Sequence, residues 1–159
     1  MNQFAMMFIL AMNPVLGVAQ HTDVRVVGVS DGDTISVLTA NKQSFRVRLS
    51  EIDAPETGQD FGQRSKKALS DLCFGKLATV ELGSTDQYGR TLSRVSCNGV
   101  DAQSHMVANG MAWVYDRYVE DKSLYGLQEQ AKRERLGLWS HPSPVPPWHY
   151  RAAKRSGAK

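Results

Sequence analysis

The chain has 159 residues, 42% hydrophobic and 22% charged, which fits one folded domain and excludes a disordered tail. Its formal charge of +3 is too small to declare a polyanion-binding surface, although the closing stretch "RAAKRSGAK" carries four bases and no acid. The apolar run Phe4–Met12 falls well short of the roughly 20 residues that a bilayer span requires.

Residues 1–20 contain no charged side chain. The apolar run is followed by Asn13-Pro14 and then by small residues ending at Ala19, the pattern a signal peptidase reads. Residues 1–19 are therefore expected to be a cleaved export signal, leaving a periplasmic or secreted chain with no membrane anchor. No Lys or Arg precedes the run, and a buried N-terminal element is the alternative. Alternating apolar and polar residues then predict strands at 23–29, 33–38, 44–50, 76–82 and 91–97. Turn signals at Asp31-Gly32, Asn41, Tyr88-Gly89 and Asn98-Gly99 separate or bound them.

Between the third and fourth strands, Phe61, Ala68, Leu69, Leu72 and Cys73 share one face of a predicted helix over 61–73. Asp101 can cap a short helix ending at Gly110. Ser123 can cap another, with Leu124, Leu127, Ala131 and Leu138 inward and Gly137 near its end. The proline-rich "HPSPVPPWHY" is expected to lie extended over the surface. This order predicts a mainly β, α+β fold: a five-stranded OB-like barrel with about three α-helices. The domain would cover 20–140, with 141–159 a proline-rich and then basic tail. Cys73 and Cys97 form a disulfide in an oxidising compartment, or remain two buried thiols in a reducing one.

The charged residues gather at strand ends, where a scaffold presents functional groups. Asp33 and Asp53, at the ends of neighbouring strands, suit a hard cation such as Ca²⁺, with a carbonyl near Ala54 as a further oxygen. Taken alone, "DGD" reads sooner as a turn, and the pair with Asp53 carries the metal reading. Arg48 just ahead of these acids, and Arg90 after the Tyr88-Gly89 turn, offer guanidinium forks matched to phosphate oxygens. Arg46 shares the face of Arg48 and is open to a solvated role. Glu56 can orient a water for attack on phosphorus, or simply open a helical turn after Pro55.

The stretches "SDGDT", "VRLSEIDAPET", "DQYGR" and "RLGLWS", in that order, resemble the staphylococcal nuclease (thermonuclease) family. The likeness spans about residues 23–140. It implies an OB-like barrel and an exported, monomeric, Ca²⁺-dependent nuclease that cuts DNA and RNA with little sequence preference, leaving 3′-phosphates. By position, Asp33, Asp53 and the carbonyl of Ala54 match the metal ligands. Arg48, Glu56 and Arg90 match the catalytic trio and Tyr88 the aromatic beside the nucleotide site, while Tyr115 or Tyr118 is expected to reach a base. Gln87 stands where the family often has lysine, which removes one expected phosphate contact. The rival reading is a catalytically silent OB-fold module that binds single strands, whose mark is loss of the acids or arginines. Trp113, Trp139 and Trp148 are expected to serve packing.

Overall fold

The computed structural model describes residues 21–157, so the expected export signal at 1–19 lies outside the described residues. Strands β1 (His21–Val29), β2 (Thr34–Leu38) and β3 (Ser44–Leu49) form an antiparallel meander. Their alternation sends Val24, Val26, Ile35, Val37, Val47 and Leu49 into one core. Each such side chain contributes about 1.5–3 kcal/mol by leaving water. The two-residue strand β4 (Ile52–Asp53) follows, and β5 (Leu77–Glu81) pairs with the far edge of β1.

The predicted fifth strand is present but divided. Its first part, β6 (Thr91–Ser93), runs parallel to β3, while β7 (Val95–Cys97) runs antiparallel to β5. Successive carbonyls make the transfer: Ser93 O accepts from Ser50 N–H at 2.9 Å, and Arg94 O accepts from Glu81 N–H at 3.2 Å. One segment thus joins both edges of the sheet order β6-β3-β2-β1-β5-β7, which curls the sheet into the expected barrel. Beyond it, β8 (Val100–Asp101) pairs with β7.

Helix α1 (Gly62–Cys73) buries Leu69 and Cys73 as its periodicity implies, and α2 (Ala102–Ala108) is capped by Asp101, which accepts from Ser104 N–H at 2.7 Å. A strand β9 (Trp113–Val114) pairs with β4. Helix α3 (Ser123–Arg133) stops short of the expected extent, because Arg135 and Gly137 adopt positive φ; Leu138 is buried from a separate 3₁₀ turn at Gly137–Ser140. Ser123 is the first residue of α3 and not its cap; the N-cap position is Lys122, and Asp121 just ahead of it accepts from Ser123 N–H at 3.0 Å.

The larger departure lies in the tail. Residues expected to be extended form a fourth helix, α4 (Pro147–Ser156), with Pro147 in its first turn. Proline there loses no hydrogen bond and brings a helical φ, so it starts this helix where it would break another. Among the described residues no helix is long and apolar enough to cross a membrane.

Two tethers hold the barrel to its helices. Cys73 and Cys97 form a disulfide, with an S–S distance of 2.06 Å, joining the end of α1 to β7. Arg94 leaves the strand at its division and contacts Glu51 at 3.0 Å, Asp101 at 2.7 Å and Asp121 at 2.9 Å. Burial would raise the Asp101 carboxyl, but bonds from Arg94 and Ser104 hold it below the usual range.

Replacing both cysteines by serine should cost about 3 kcal/mol, the loop-closure value for this separation, read as a lower urea midpoint. Asp101→Asn keeps the cap but loses the charge, and should cost about 1 kcal/mol at pH 7, since the pair is partly solvated. A lowered carboxyl pKa contributes stability above its unfolded value and loses it as pH falls through the folded one. The difference between Asp101→Asn and wild type should therefore shrink below about pH 4 in unfolding titrations.

Candidate active site

The Asp31-Gly32-Asp33 turn delivers two acids to the mouth of the barrel. Asp31 Oδ1 accepts the Asp33 N–H at 3.0 Å, the local bond that makes aspartate a turn former. A Cβ on Gly32 would lie 1.8 Å from Ser65 Oγ and 2.8 Å from the Cβ of Ala54, so only glycine lets the turn rest against α1. Asp33 is held on both oxygens: Oδ1 accepts from the Thr34 hydroxyl at 3.0 Å and Oδ2 from Ala54 N–H at 2.9 Å. Burial and the neighbouring Asp33 charge push the Asp31 carboxyl up to about 6.

Cross-strand register sets Arg48 opposite Thr34, directly beneath this turn. One guanidinium nitrogen of Arg48 contacts Asp53 Oδ1 at 2.8 Å and Asp33 Oδ2 at 3.3 Å. Its other terminal nitrogen donates to the carbonyls of Leu49 and Ile52 at 2.8 and 2.9 Å, which fixes the fork. Burial works against the Arg48 charge, but Asp33 and Asp53 more than compensate and raise its pKa. Asp53 is 1% exposed, and burial lifts its carboxyl above the ordinary range despite the arginines beside it.

Arg90 is placed by the turn before β6. Asp86 Oδ1 accepts the N–H groups of Tyr88 and Arg90 at 2.9 and 3.0 Å, and its Oδ2 accepts from Arg90 Nε at 2.8 Å. These bonds outweigh burial and lower the Asp86 pKa. The guanidinium of Arg90 also reaches Thr34 Oγ1 at 3.3 Å, so it faces the acids across the cleft. Tyr88 is 64% exposed beside it, and Arg46 is a surface residue that ties this turn down through Tyr88 O at 2.8 Å. Glu56 lies in the loop after Pro55, and the bare Cα of Gly62 packs on its carbonyl.

Tyr115 and Tyr118 form the opposite wall, edge to face at 5.0 Å, with Tyr118 solvent-exposed. Glu51 holds their loop from beneath: its carboxylate accepts the N–H groups of Glu120 and Asp121 at 2.8 and 2.7 Å, and its carbonyl accepts from Tyr115. Trp148 of α4 stacks on Tyr115 at 5.4 Å with planes 6° apart. It also meets Trp113, which packs on Trp139 at 4.4 Å. Packing is thus the role of all three tryptophans, with Trp148 nearest the cleft.

All nine expected site residues line one cleft of about 1380 Å³: Asp33, Arg48, Asp53, Ala54, Glu56, Tyr88, Arg90, Tyr115 and Tyr118. Gln87 lines it too. Three participants lay outside the expectation. Glu51 carries no distinguishing signal beside its flanking acids. Arg151 and Arg155 reach the cleft from α4, one helical turn apart. Arg151 contacts Asp53 Oδ2 and Glu56 Oε1, each at 2.7 Å. Recognising it would have required seeing Pro147 as a helix start.

The donor set is oxygen only, which suits a hard divalent ion completed by water. Among the described residues, no three His, Cys, Asp or Glu side chains converge as ligands; Arg48 and Arg151 sit between the acids. Two carboxylates and a main-chain carbonyl remain a fitting set. The cleft combines an anionic floor, two guanidinium forks and exposed aromatic walls, the chemistry that receives a phosphate chain carrying bases.

A family model described as "Staphylococcal nuclease homologue" matches residues 46–141. An "Uncharacterized endonuclease" of Haemophilus influenzae is 43% identical over 131 residues, covering 82% of this chain and 74% of its own. One of the same description from Escherichia coli O157:H7 is 45% identical, covering 82% and 85%. A "Micrococcal nuclease" of Shigella flexneri is 42% identical over 142 residues, covering 82% and 81%.

Gly32→Ala should cost about 1–3 kcal/mol in urea unfolding, because the methyl group meets Ser65 and Ala54. Adding Ser65→Ala removes the nearest obstructing atom and should restore part of that loss; full additivity would place the strain elsewhere.

Proposed function

The chain belongs to the staphylococcal nuclease family, and we propose that it is a calcium-dependent nuclease that hydrolyses DNA and RNA with little sequence preference. The observation that supports this most is convergence: Asp33, Arg48, Asp53, Glu56 and Arg90 come from separate turns and line one cleft. A binding-only module would be expected to have lost some of them.

Asp33, Asp53 and the carbonyl of Ala54 would hold the ion, which when bound supplies positive charge to the scissile phosphate. Arg48, anchored by two carbonyls and two acids, points a rigid donor at a phosphate oxygen. Arg90, oriented by Asp86, faces the same space and stabilises charge that develops as the leaving oxygen departs. Glu56 orients a water and accepts its proton as the new O–P bond forms. The P–O5′ bond breaks, the 5′-oxygen takes up a proton, and the phosphate stays on the 3′ side.

Tyr88 and Tyr118, both exposed, and Tyr115 beside Tyr118 offer faces on which unpaired bases stack, each worth about 1–3 kcal/mol. Such stacking favours single-stranded or locally opened substrates. Under this reading the mature protein starts after Ala19 and acts as an exported monomer, periplasmic or secreted. The disulfide is in keeping with an oxidising compartment.

Glu56→Gln tests the assignment. With denatured DNA and calcium, the variant should fold normally and lose about 10²–10⁴-fold in cleavage rate, the usual worth of a general base. Excess chelator should abolish cleavage by wild type. Equal rates for the two proteins would remove Glu56 from the chemistry. End-labelling of products should find 3′-phosphates; 5′-phosphates would reverse the assigned bond.

A further inference from the structure

Arg151 stands beyond the last residue of the family match, 141, yet it makes the closest polar contacts of any residue to the two acids most needed for the chemistry. Its Nη2 donates to Asp53 Oδ2 at 2.7 Å, and its Nη1 donates to Glu56 Oε1 at 2.7 Å and to Asp53 Oδ1 at 3.2 Å. The contact is built rather than incidental. Helix α4 is seated by buried Pro147, by Trp148 stacked on Tyr115, and by the Tyr150 hydroxyl on Gly58 O at 3.1 Å. Gln59 adds a bond to Val145 O just ahead of the helix. The same loop that carries Glu56 therefore carries the anchor for the arginine that covers it.

We propose that Arg151 is a further functional residue of this cleft: a tethered cation that occupies Asp53 and Glu56 before metal binds and sets the metal concentration at which the site loads. The inference rests on the reading of the cleft as a calcium site. Both oxygens of Asp53 already accept from Arg151, and one of them from Arg48 as well. A divalent ion on the same buried carboxylate would meet the half-buried guanidinium at contact distance, where like charges repel. Arg48 is fixed by the Leu49 and Ile52 carbonyls, whereas Arg151 is held by carboxylates alone, so loading moves Arg151 aside and frees Glu56 to engage water. Because α4 remains seated by its other contacts, the displaced arginine stays close to the cleft.

The test is calorimetric titration of calcium alone into wild type, Arg151→Met and Arg155→Met, each checked for native near-ultraviolet dichroism. Arg155 lines the cleft one turn away and controls for net charge. Competition predicts that Arg151→Met binds calcium about tenfold or more tightly than wild type, while Arg155→Met changes less than about threefold. Arg151→Lys keeps the charge but cannot bridge both acids, and should fall between wild type and Arg151→Met. Equal or weaker binding by Arg151→Met would overturn the proposal and leave the calcium site standing. Equal tightening by Arg151→Met and Arg155→Met would overturn it in favour of a diffuse charge effect. No calcium binding by any of these proteins would overturn the calcium reading itself, and the proposal with it.

Discussion

Burying carboxylates beside one another is the constraint around which this molecule is arranged. Asp33 and Asp53 are 6% and 1% exposed, and Asp31 adds a third acid at the same mouth. Such a group of negative charges, withdrawn from water, is unfavourable unless cations meet it at contact distance. Arg48 supplies the permanent counter-charge, placed by strand register and by the carbonyls of Leu49 and Ile52. The second counter-charge arrives from a remote part of the chain on α4.

The barrel makes such closeness possible. Dividing one strand between two sheet edges brings β3 and β6 side by side, so that Arg48 pairs across from Leu92, two residues past Arg90. At the division, Arg94 turns outward and gathers Glu51, Asp101 and Asp121. This second charged cluster is structural. It fastens the motif that carries Asp53 and Glu56 to the loop that carries Tyr115 and Tyr118, and to the start of α2. The floor and the aromatic wall of the cleft are therefore mechanically connected through Glu51, whose carboxylate accepts from the loop and whose carbonyl receives Tyr115.

Aromatic packing performs the matching task for α4. Trp139, Trp113, Trp148 and Tyr115, all half-buried, succeed one another toward the cleft, each in contact with the next. The helix is short and strongly basic, and would be marginal alone. It persists because its first turn buries Pro147 and lays Trp148 on this row, which in turn directs Arg151 toward the acids.

Alternation of valine, isoleucine and leucine determined the strands, because a half-buried strand has only one way to place them. Glycine turns and a close spacing of acid and base within nine residues, Arg48 to Glu56, determined the outline of the site, since these contacts are local or cross one ladder. The extent of α3 was less legible, as backbone reversals at Arg135 and Gly137 depend on packing rather than periodicity. What only the tertiary structure decided was contact between segments far apart: Arg94 with Glu51, and above all Arg151 with Asp53 and Glu56. A basic residue in a tail looks the same in sequence whether it faces solvent or a buried acid. The difference lies in where Pro147 and Trp148 seat the helix, and that is set by a surface that exists only once the barrel has folded.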